Sequence, residues 1–419
     1  MKLPANTPLE VSLRWSPTDT VRVGRLGFSK NKGVFEYDAA YVASGQAIHP
    51  GQRPASGVVT ANTNAFGGLH GMFSDSLPDA WGRLLLDRQA EKKGVPASSL
   101  TTLDRLAYVG ENGMGALIYQ PGFERPQDAE PFDLARLAMA AARLLNGADV
   151  KVLDQLAKLG GSSGGARPKV LIGMNADGDI TGRTDDLPEG YEAWLVKFRM
   201  TQEFADIGPL EAAYAAMARD AGLKISETKL IGAEKGPGYF ATKRFDRGPG
   251  NTRKHFLSAS GILEAPMDVP AIGYDGLLRL TLQVTRNAAD VEMAFRRAAF
   301  NVIAHNRDDH TKQHGFLMDR AGKWSLAPAF DLTFSNGPGG EHYLDINGET
   351  RTPTLADLKA LGQKHGIKTG RIQEILESTM GAVERFPEFA DAYGVSRRTL
   401  NTVIRTLRPA RAIAERRTD

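Results

Sequence analysis

The stretch His305-Asn306-Arg307-Asp308-Asp309-His310-Thr311-Lys312-Gln313 decides the fold of this 419-residue chain, together with Ala329-Phe330-Asp331-Leu332 a little further on. Between them, the apolar segments 315–318 and 324–326 predict a β-hairpin. One acidic side chain, Asp308, therefore precedes the hairpin, and a second, Asp331, follows it. Phosphoryl-transfer enzymes need this arrangement, because one Asp faces the acceptor hydroxyl and another holds Mg²⁺ on the nucleotide phosphates.

The polar side chains of this stretch have distinct candidate roles. Asp308 would orient and deprotonate the acceptor hydroxyl, and Lys312 would offset the charge that develops on the transferred phosphate. Asp331 is the candidate Mg²⁺ ligand, because hard oxygen donors suit that ion. Gln313 is a second candidate ligand, since it follows Asp308 at the spacing of the metal-binding Asn of protein kinases. A polar surface loop and a transition-metal site are the alternatives, and the joint occurrence of loop, hairpin and second Asp favours the kinase interpretation.

The composition indicates an ordinary globular protein of more than one domain. Hydrophobic residues make up 42% and charged residues 24%, and the net charge of +3 is too small to argue for nucleic-acid binding. No apolar run approaches membrane-spanning length, no secretory signal begins the chain, and the lack of cysteine excludes disulfides and thiolate metal sites. We therefore expect a cytoplasmic protein with no membrane partner. The Arg-rich stretch 396–419 predicts a solvated helix.

The sequence before the deciding stretch predicts two β-rich regions. Residues 8–60 alternate apolar and polar side chains between Gly breaks, which is typical of short antiparallel strands. A helix is predicted from Ser76–Trp81 to about Lys93, and the Pro-rich segment 121–131 marks a domain boundary. Beyond it the predicted elements follow the order of a kinase small lobe, with strands at 169–174 and 193–198, a helix at 209–221, and strands at 228–231 and 239–245.

The remainder of the chain is predicted to be mostly helical. Asp290 is expected to cap a helix with one apolar face that ends at His305, so that a buried helix presents the catalytic loop. Three further helices are predicted near 354–365, 369–386 and 396–416. The fold class is therefore α+β, a two-lobed protein-kinase-like fold. Its predicted domains are an N-terminal β-rich subdomain (1–125), a kinase small lobe (126–247) and an all-helical C-terminal lobe (248–419).

The predicted small lobe contains the candidate nucleotide-binding groups. Lys197 lies in an apolar strand and would reach the α/β-phosphates, and Glu211, near the start of the next helix, would hold it. The glycine-rich segment 160–169 would bring backbone N–H groups close to phosphate oxygens, with a flexible linker as the alternative. An ion pair that joins the lobes is expected within Arg244–Arg247, and the base would stack near Phe245 or Phe240.

Jointly, these segments resemble the HipA family of serine/threonine kinase toxins from bacterial type II toxin–antitoxin modules. The resemblance covers nearly the whole chain and depends on an N-terminal signature, the glycine-rich loop, the connector, the catalytic loop and the metal Asp. The matching segments are Phe66–Leu69 with Phe73–Arg83, Ser162–Lys169, Arg244–Arg247, Asn306–Lys312 and Pro328–Leu332.

The resemblance implies an ATP- and Mg²⁺-dependent protein kinase with Asp308 as catalytic Asp, Asp331 as metal Asp and Lys197 as ATP lysine. Autophosphorylation at Ser162 or Ser163 is also implied, and it would add about two negative charges beside the ATP phosphates and shut the enzyme off. The implied nucleotide-binding set is Ser162, Ser163, Gly164, Gly165, Ala166, Lys169, Lys197, Phe245, His310, Gln313 and Asp331.

The resemblance also implies partners. These are a small helix-turn-helix antitoxin, operator DNA through the antitoxin complex, and a protein substrate, which in some members is an aminoacyl-tRNA synthetase. The chain departs from the family pattern at Gln313, in place of the metal-binding Asn, and at Lys243, where some members carry an acidic group. Two alternatives stay open, a small-molecule phosphotransferase and a catalytically weak, kinase-like co-repressor that binds an antitoxin–DNA complex.

Overall fold

The N-terminal unit is built on an antiparallel sheet, as its alternating sequence predicts. The computed structural model describes residues 2–123, 132–148, 151–161, 165–269 and 271–407. Every second residue from Leu9 to Trp15 is buried, which is the period of a strand with one face on the core. The strands are β1 (Leu9–Ser16), β2 (Asp19–Ser29), β3 (Lys32–Tyr37), β4 (Val58–Thr60) and β5 (Leu117–Gln120), in the sheet order β4-β3-β2-β1-β5.

Several helices accompany this sheet. They are α1 (Ala39–Ser44), α2 (Ala65–Gly68), α3 (Gly71–Ser74), α4 (Ala80–Lys92) and α5 (Thr102–Val109). The predicted helix is α4, with Asp79 at its N-cap and Gly94 just beyond its end, at a φ of 74° that glycine adopts readily. An unpredicted element is α5, and the capping box of Thr101 and Asp104 is its signal in the sequence.

The small lobe follows the predicted order of elements. It contains α6 (Leu134–Leu145), α7 (Leu153–Gly160), β6 (Lys169–Met174), β7 (Ile180–Thr181), β8 (Glu192–Lys197), α8 (Ile207–Asp220), β9 (Thr228–Ile231) and β10 (Tyr239–Lys243). The antiparallel sheet has the order β7-β6-β8-β10-β9. Its register pairs Lys169 of β6 directly with Lys197 of β8, so both side chains project from the same face.

The C-terminal lobe combines helices with two small sheets. Its elements are β11 (Arg247–Gly248), β12 (Thr252–Arg253), β13 (His255–Ser258), α9 (Ala259–Ile262), α10 (Tyr274–Thr285), α11 (Ala288–Ile303), β14 (Gly315–Met318), β15 (Trp324–Leu326), α12 (Leu355–Lys364), α13 (Thr369–Glu384), α14 (Phe386–Ala392) and α15 (Arg397–Leu407). The predicted hairpin is β14 and β15, and the predicted catalytic loop begins two residues after α11.

Three details of this lobe correct the predictions. The lobe is mostly rather than wholly helical, because β13 pairs with β14 and extends the hairpin to a small sheet. The N-cap of α11 is Asn287, since the Asp290 carboxylate accepts a hydrogen bond from Leu326 N at 3.2 Å instead. The helix predicted over 369–386 ends at Glu384, and α14 starts anew with Pro in its first turn, a position that Pro favours.

The N-terminal unit and the small lobe share one hydrophobic core. Trp81 and Leu85 of α4 are buried against Leu156 of α7 and Val170 of β6. A second core connects the N-terminal sheet with α8 and the C-terminal helices. Helix α4 is therefore packed directly on the part of the small lobe that contains the glycine-rich segment.

Among the described residues, no helix combines the length and the apolar character that a bilayer crossing requires.

Candidate active site

Lys197, at the end of β8, lies at the centre of a buried charge network. Its Nζ donates to Glu211 Oε1 of α8 at 2.6 Å and also contacts the Asp331 carboxylate. Lys197 and Glu211 are only 5% and 1% exposed. Because the strand, the helix and the segment after β15 each supply one member, the network holds together three elements that are distant in sequence. The predicted pairing of Lys197 with Glu211 is thus present as a contact, and the roles of both residues remain predictions.

The charges of this network stabilise one another. Burial alone would lower the pKa of Lys197, but Asp331 and Glu211 outweigh it and raise that pKa. Burial would raise the pKa of Asp331, but Lys197 and Lys169 lower it strongly. Asp331 therefore remains an anion, which is the state in which a carboxylate binds Mg²⁺.

Asp331 adopts an unusual backbone conformation next to Gln313. Its φ is 57°, in the left-handed region that non-glycine residues rarely occupy and that recurs at functional sites. Gln313 Nε2 donates to Asp331 Oδ2 at 2.9 Å. The two candidate metal ligands are therefore neighbours, and their carboxylate and amide groups suit Mg²⁺. Among the described residues, no group of three or more His, Asp or Glu side chains forms a metal site by itself.

Asp308 is close enough to Asp331 and Lys197 for their charges to act on it, and these three side chains define the cleft between the small lobe and the C-terminal lobe. Asp308 differs from Asp331 in its surroundings. Its side chain is 45% exposed, with Oδ1 3.6 Å from His310 Nε2. Partial burial raises the pKa of Asp308, and the charges of Asp331 and Asp309 add to the rise against the opposing effect of His310. A partly exposed carboxylate with a raised pKa is suited to accept a proton from a bound hydroxyl.

Asp309, the next residue, has no access to the cleft. It is fully buried and accepts hydrogen bonds at 2.8 Å from His342 Nδ1, Tyr274 Oη and Tyr343 N. These contacts lower the pKa of Asp309 although burial opposes them. The sequence pattern assigns no catalytic role to Asp309 or His342. In the structure, Asp309 and His342 together connect the catalytic loop to the buried interior of its lobe.

Lys312 does not contact the other catalytic candidates. Its Nζ donates to Asp79 Oδ1 of the N-terminal unit at 2.5 Å. The second oxygen of Asp79 accepts a hydrogen bond from Gly165 N of the glycine-rich segment at 2.7 Å. Asp79 lies within the signature Phe73–Arg83, but nothing in that pattern alone reveals a partner so distant in sequence.

The glycine-rich segment is partly outside the described residues. The candidates Ser162, Ser163 and Gly164 lie there, whereas Ala166 is exposed and Lys169 is 4% exposed. Burial lowers the pKa of Lys169 to about 8, with Asp331 and Asp79 opposing the shift.

Arg167, to which the sequence assigns no separate role, contacts the same carboxylate as Lys197. Its guanidinium pairs with Glu211 and lies 3.3 Å from Glu203 Oε2. The glycine-rich segment is therefore connected to α8 through Arg167.

The connector Arg244–Arg247 contains the predicted ion pair. Buried Asp246 contacts Arg244 at 2.7 Å and Arg247 at 2.6 Å, and it also accepts from Gly115 N of the N-terminal unit at 2.7 Å. The ion pair thus ties the connector to the N-terminal unit, and its role in joining the lobes stays a prediction.

The two aromatic candidates near the base differ in burial. Phe245 is partly exposed and packs on Phe330 with ring centroids 5.3 Å apart, whereas Phe240 is buried against Ala212 and Ala215. Phe245 is therefore the better placed to meet a base. Lys243 donates to Glu192 at 2.5 Å, where the neighbouring strands β10 and β8 end and begin.

Comparisons with known proteins agree with this architecture. The family model described as HipA-like C-terminal domain matches residues 161–386, and that described as HipA N-terminal domain matches residues 17–120. Among curated proteins, none matches this chain.

Solved structures give a second comparison. The chain is similar to HipA in the Shewanella oneidensis MR-1 toxin–antitoxin complex of HipA, HipB and operator DNA, with 17% identity, 97% coverage of both chains and a TM-score of 0.64. It also matches the Helicobacter pylori proinflammatory kinase CtkA, with 15% identity over 53% of this chain and 92% of that one, at a TM-score of 0.34 that supports no inference. The first match confirms the predicted α+β, two-lobed HipA-like fold.

Proposed function

The chain belongs to the HipA family, and from this premise we propose that it is an ATP- and Mg²⁺-dependent serine/threonine-protein kinase, the toxin of a type II toxin–antitoxin module. The observation that carries the proposal is the contact of Lys197 with both Glu211 and Asp331, in the cleft that also contains Asp308. A lysine held by a helix glutamate beside a metal-binding Asp is the arrangement by which protein kinases bind the nucleotide phosphates.

Each residue of the cleft has a separate role in the proposed reaction. Lys197 binds the phosphates of ATP, and Asp308 orients the hydroxyl of a Ser or Thr substrate and accepts its proton. As the hydroxyl oxygen attacks the γ-phosphorus, the bond between that phosphorus and the bridging oxygen of ADP breaks, and the negative charge leaves with ADP. Asp331 and Gln313 would hold Mg²⁺, which when bound neutralises charge on the phosphates.

Three finer parts of the proposal come from the family. Autophosphorylation at Ser162 or Ser163 would switch the enzyme off, because a phosphate there would repel the ATP phosphates. The partner would be a small helix-turn-helix antitoxin, in line with the HipA–HipB–operator complex of the similar protein. The growth-inhibiting target would be a protein, with an aminoacyl-tRNA synthetase as the first candidate.

A second candidate is a catalytically weak, kinase-like co-repressor. It is supported by Gln313, whose amide nitrogen donates to Asp331 and whose side chain is one methylene longer than the Asn of protein kinases. A small-molecule phosphotransferase has no such support, since it needs neither the N-terminal unit nor its contacts with the cleft.

The proposal is tested by phosphate transfer from labelled Mg-ATP, with Ser162 and Ser163 analysed by mass spectrometry. We expect wild-type protein to label itself, and Asp308→Ala and Asp331→Ala to reduce transfer by about 10³-fold or more and to relieve growth inhibition. Asp177→Ala, which removes an exposed loop carboxylate, is the matched control and should transfer normally. Full transfer by either cleft variant would refute the assigned roles, and a wild-type protein without transfer would favour the co-repressor.

A further inference from the structure

Asp79 occupies the N-cap of α4 without capping it. An N-cap Asp normally accepts a hydrogen bond from the backbone N–H of the second or third helical residue, which stabilises the helix by about 1 kcal/mol. Asp79 has the extended backbone of an N-cap, with φ −77° and ψ −171°, but its side chain makes no such bond. The carboxylate is therefore directed away from its own helix.

Both carboxylate oxygens of Asp79 are used by the candidate active site. Oδ2 accepts from Gly165 N of the glycine-rich segment at 2.7 Å, and Oδ1 accepts from Lys312 Nζ of the catalytic loop at 2.5 Å. Burial would raise the pKa of Asp79, but Lys312 and the bond from Gly165 lower it, so the group is an anion. One side chain of the N-terminal unit thus joins the glycine-rich segment to the catalytic loop.

Further contacts connect the start of α4 to the glycine-rich segment. Trp81 Nε1 donates to Lys169 O at 3.0 Å, and Trp81 N donates to Gly165 O at 3.3 Å. A Cβ atom on Gly82 would lie 2.6 Å from Gly161 O, so only glycine permits this close approach. Because α4 is fixed by the buried core it shares with α7 and β6, Asp79 has little freedom to move relative to the segment.

We propose that Asp79 is a positioning residue for phosphate transfer, through which the N-terminal unit sets Gly165 and Lys312 in a fixed relation to each other. The inference depends on the proposed kinase function. Hydrogen bonds to an ionised group are stronger than those between neutral groups. The bond from Gly165 N orients the backbone beside the phosphate site, and the ion pair fixes the long, flexible side chain of Lys312. A simple surface ion pair between domains would not involve the amide of Gly165.

Two substitutions of Asp79 distinguish its contact with Gly165 from its contact with Lys312. Asp79→Asn keeps an oxygen acceptor for Gly165 N but loses the charge that holds Lys312. We therefore expect kcat to fall about tenfold, with KM for ATP within about twofold of wild type. Asp79→Ala removes both contacts and should also raise KM for ATP about tenfold. Asp87→Ala, which removes the partner of Arg105 at 3.1 Å on the same helix, is the matched control and should change neither constant.

Two further measurements exclude a merely structural effect. In a Lys312→Met background, Asp79→Asn should lower kcat by less than about twofold, because its effect acts through the lysine. Amide hydrogen exchange at Gly165, measured without nucleotide, should be about tenfold faster in Asp79→Ala than in wild type or Asp87→Ala.

The outcomes distinguish this inference from the function on which it depends. Unchanged kinetics and unchanged exchange in Asp79→Ala, with an active wild type, would overturn the role of Asp79 alone. Additive effects of Asp79→Asn and Lys312→Met would overturn the action through Lys312. A wild type that transfers no phosphate would overturn the proposed function, and the positioning role with it.

Discussion

The catalytic loop 305–313, on one side of the cleft, and the glycine-rich segment 160–169, on the other, both carry candidate functional residues. The catalytic loop is anchored from within its own lobe, where buried Asp309 accepts three hydrogen bonds from Tyr274, His342 and Tyr343. The glycine-rich segment is anchored partly within its lobe, by the pairing of Arg167 with Glu211, and partly from outside it, by Asp79 and Trp81 of the N-terminal unit. The catalytic loop is therefore held by the core of its own lobe, whereas the glycine-rich segment depends in part on a neighbouring unit.

The two kinds of anchoring predict different mobility for the catalytic loop and the glycine-rich segment. Buried hydrogen bonds to an ionised group are costly to break, so the catalytic loop should move little. The contacts between the N-terminal unit and the glycine-rich segment involve few groups. The side chains of Asp79 and Lys312 are 27% and 19% exposed, so water can reach their ion pair. Changes at the N-terminal unit should thus affect the glycine-rich segment without unfolding the catalytic lobe.

Substitution of the two adjacent aspartates should show the largest contrast. We expect Asp309→Ala to lower the free energy of unfolding by about 3 kcal/mol, because buried His342 and Tyr274 lose their acceptor. Asp308→Ala should change it by less than about 1 kcal/mol, since its side chain is 45% exposed. Urea denaturation of both variants measures the difference. Equal effects of the two substitutions would mean that the loop is not anchored through Asp309.

Glu211 tests the connection between the glycine-rich segment and Lys197. It contacts Lys197 and Arg167, so Glu211→Gln would leave two buried cations undercompensated. We expect kcat/KM for ATP to fall about 100-fold, in line with a loss of about 2.7 kcal/mol.

The matched control for this test is Glu203→Gln, because Glu203 lies near Arg167. It should change kcat/KM by less than about threefold. Comparable losses in both variants would indicate that the pairing with Arg167, rather than that with Lys197, matters for catalysis.

ATP binding at the glycine-rich segment should depend on pH through Lys169. Burial lowers its pKa to about 8, so the ammonium is charged below that pH and neutral above it. If this charge helps to bind the phosphates, KM for ATP should rise about tenfold between pH 7 and pH 9, because the fraction of free enzyme in which Lys169 is charged falls about tenfold over this range. In Lys169→Arg the guanidinium remains charged over this range, and the rise should disappear. A rise of the same size in both proteins would assign it to another group.

The sequence predicted the candidate catalytic and nucleotide-binding residues together with Glu211, whose contact with Lys197 the structure shows, but it missed other positioning contacts. Strands β6, β14 and β15 matched their predicted bounds because each is a short, mostly apolar run between turn residues, and β9 matched as well. Lys197, Asp308, Gln313 and Asp331 were predicted from their places along predicted elements and from the family resemblance, since local order along the chain determines where a hairpin or helix presents a side chain. Asp79, Asp309 and Arg167 were not, because their partners are fixed only by tertiary packing. The capping role predicted for Asp290 failed for the same reason, as its carboxylate bonds to β15.

The smallest effect is expected at Gln313, where the chain departs from the Asn of protein kinases. Its amide nitrogen is 2.9 Å from Asp331 Oδ2, so the longer side chain is accommodated by a bond to the other candidate metal ligand. We expect Gln313→Asn to lower the Mg²⁺ concentration needed for half-maximal transfer by about two- to fivefold, since the shorter amide would leave Asp331 free of that bond. Gln363→Asn, at an exposed position of α12, is the control and should have no effect. A higher Mg²⁺ requirement in Gln313→Asn would show instead that the bond between Gln313 and Asp331 holds the carboxylate in its binding orientation, and the catalytic-loop side of the cleft would then also depend on a positioning contact of the kind inferred for Asp79.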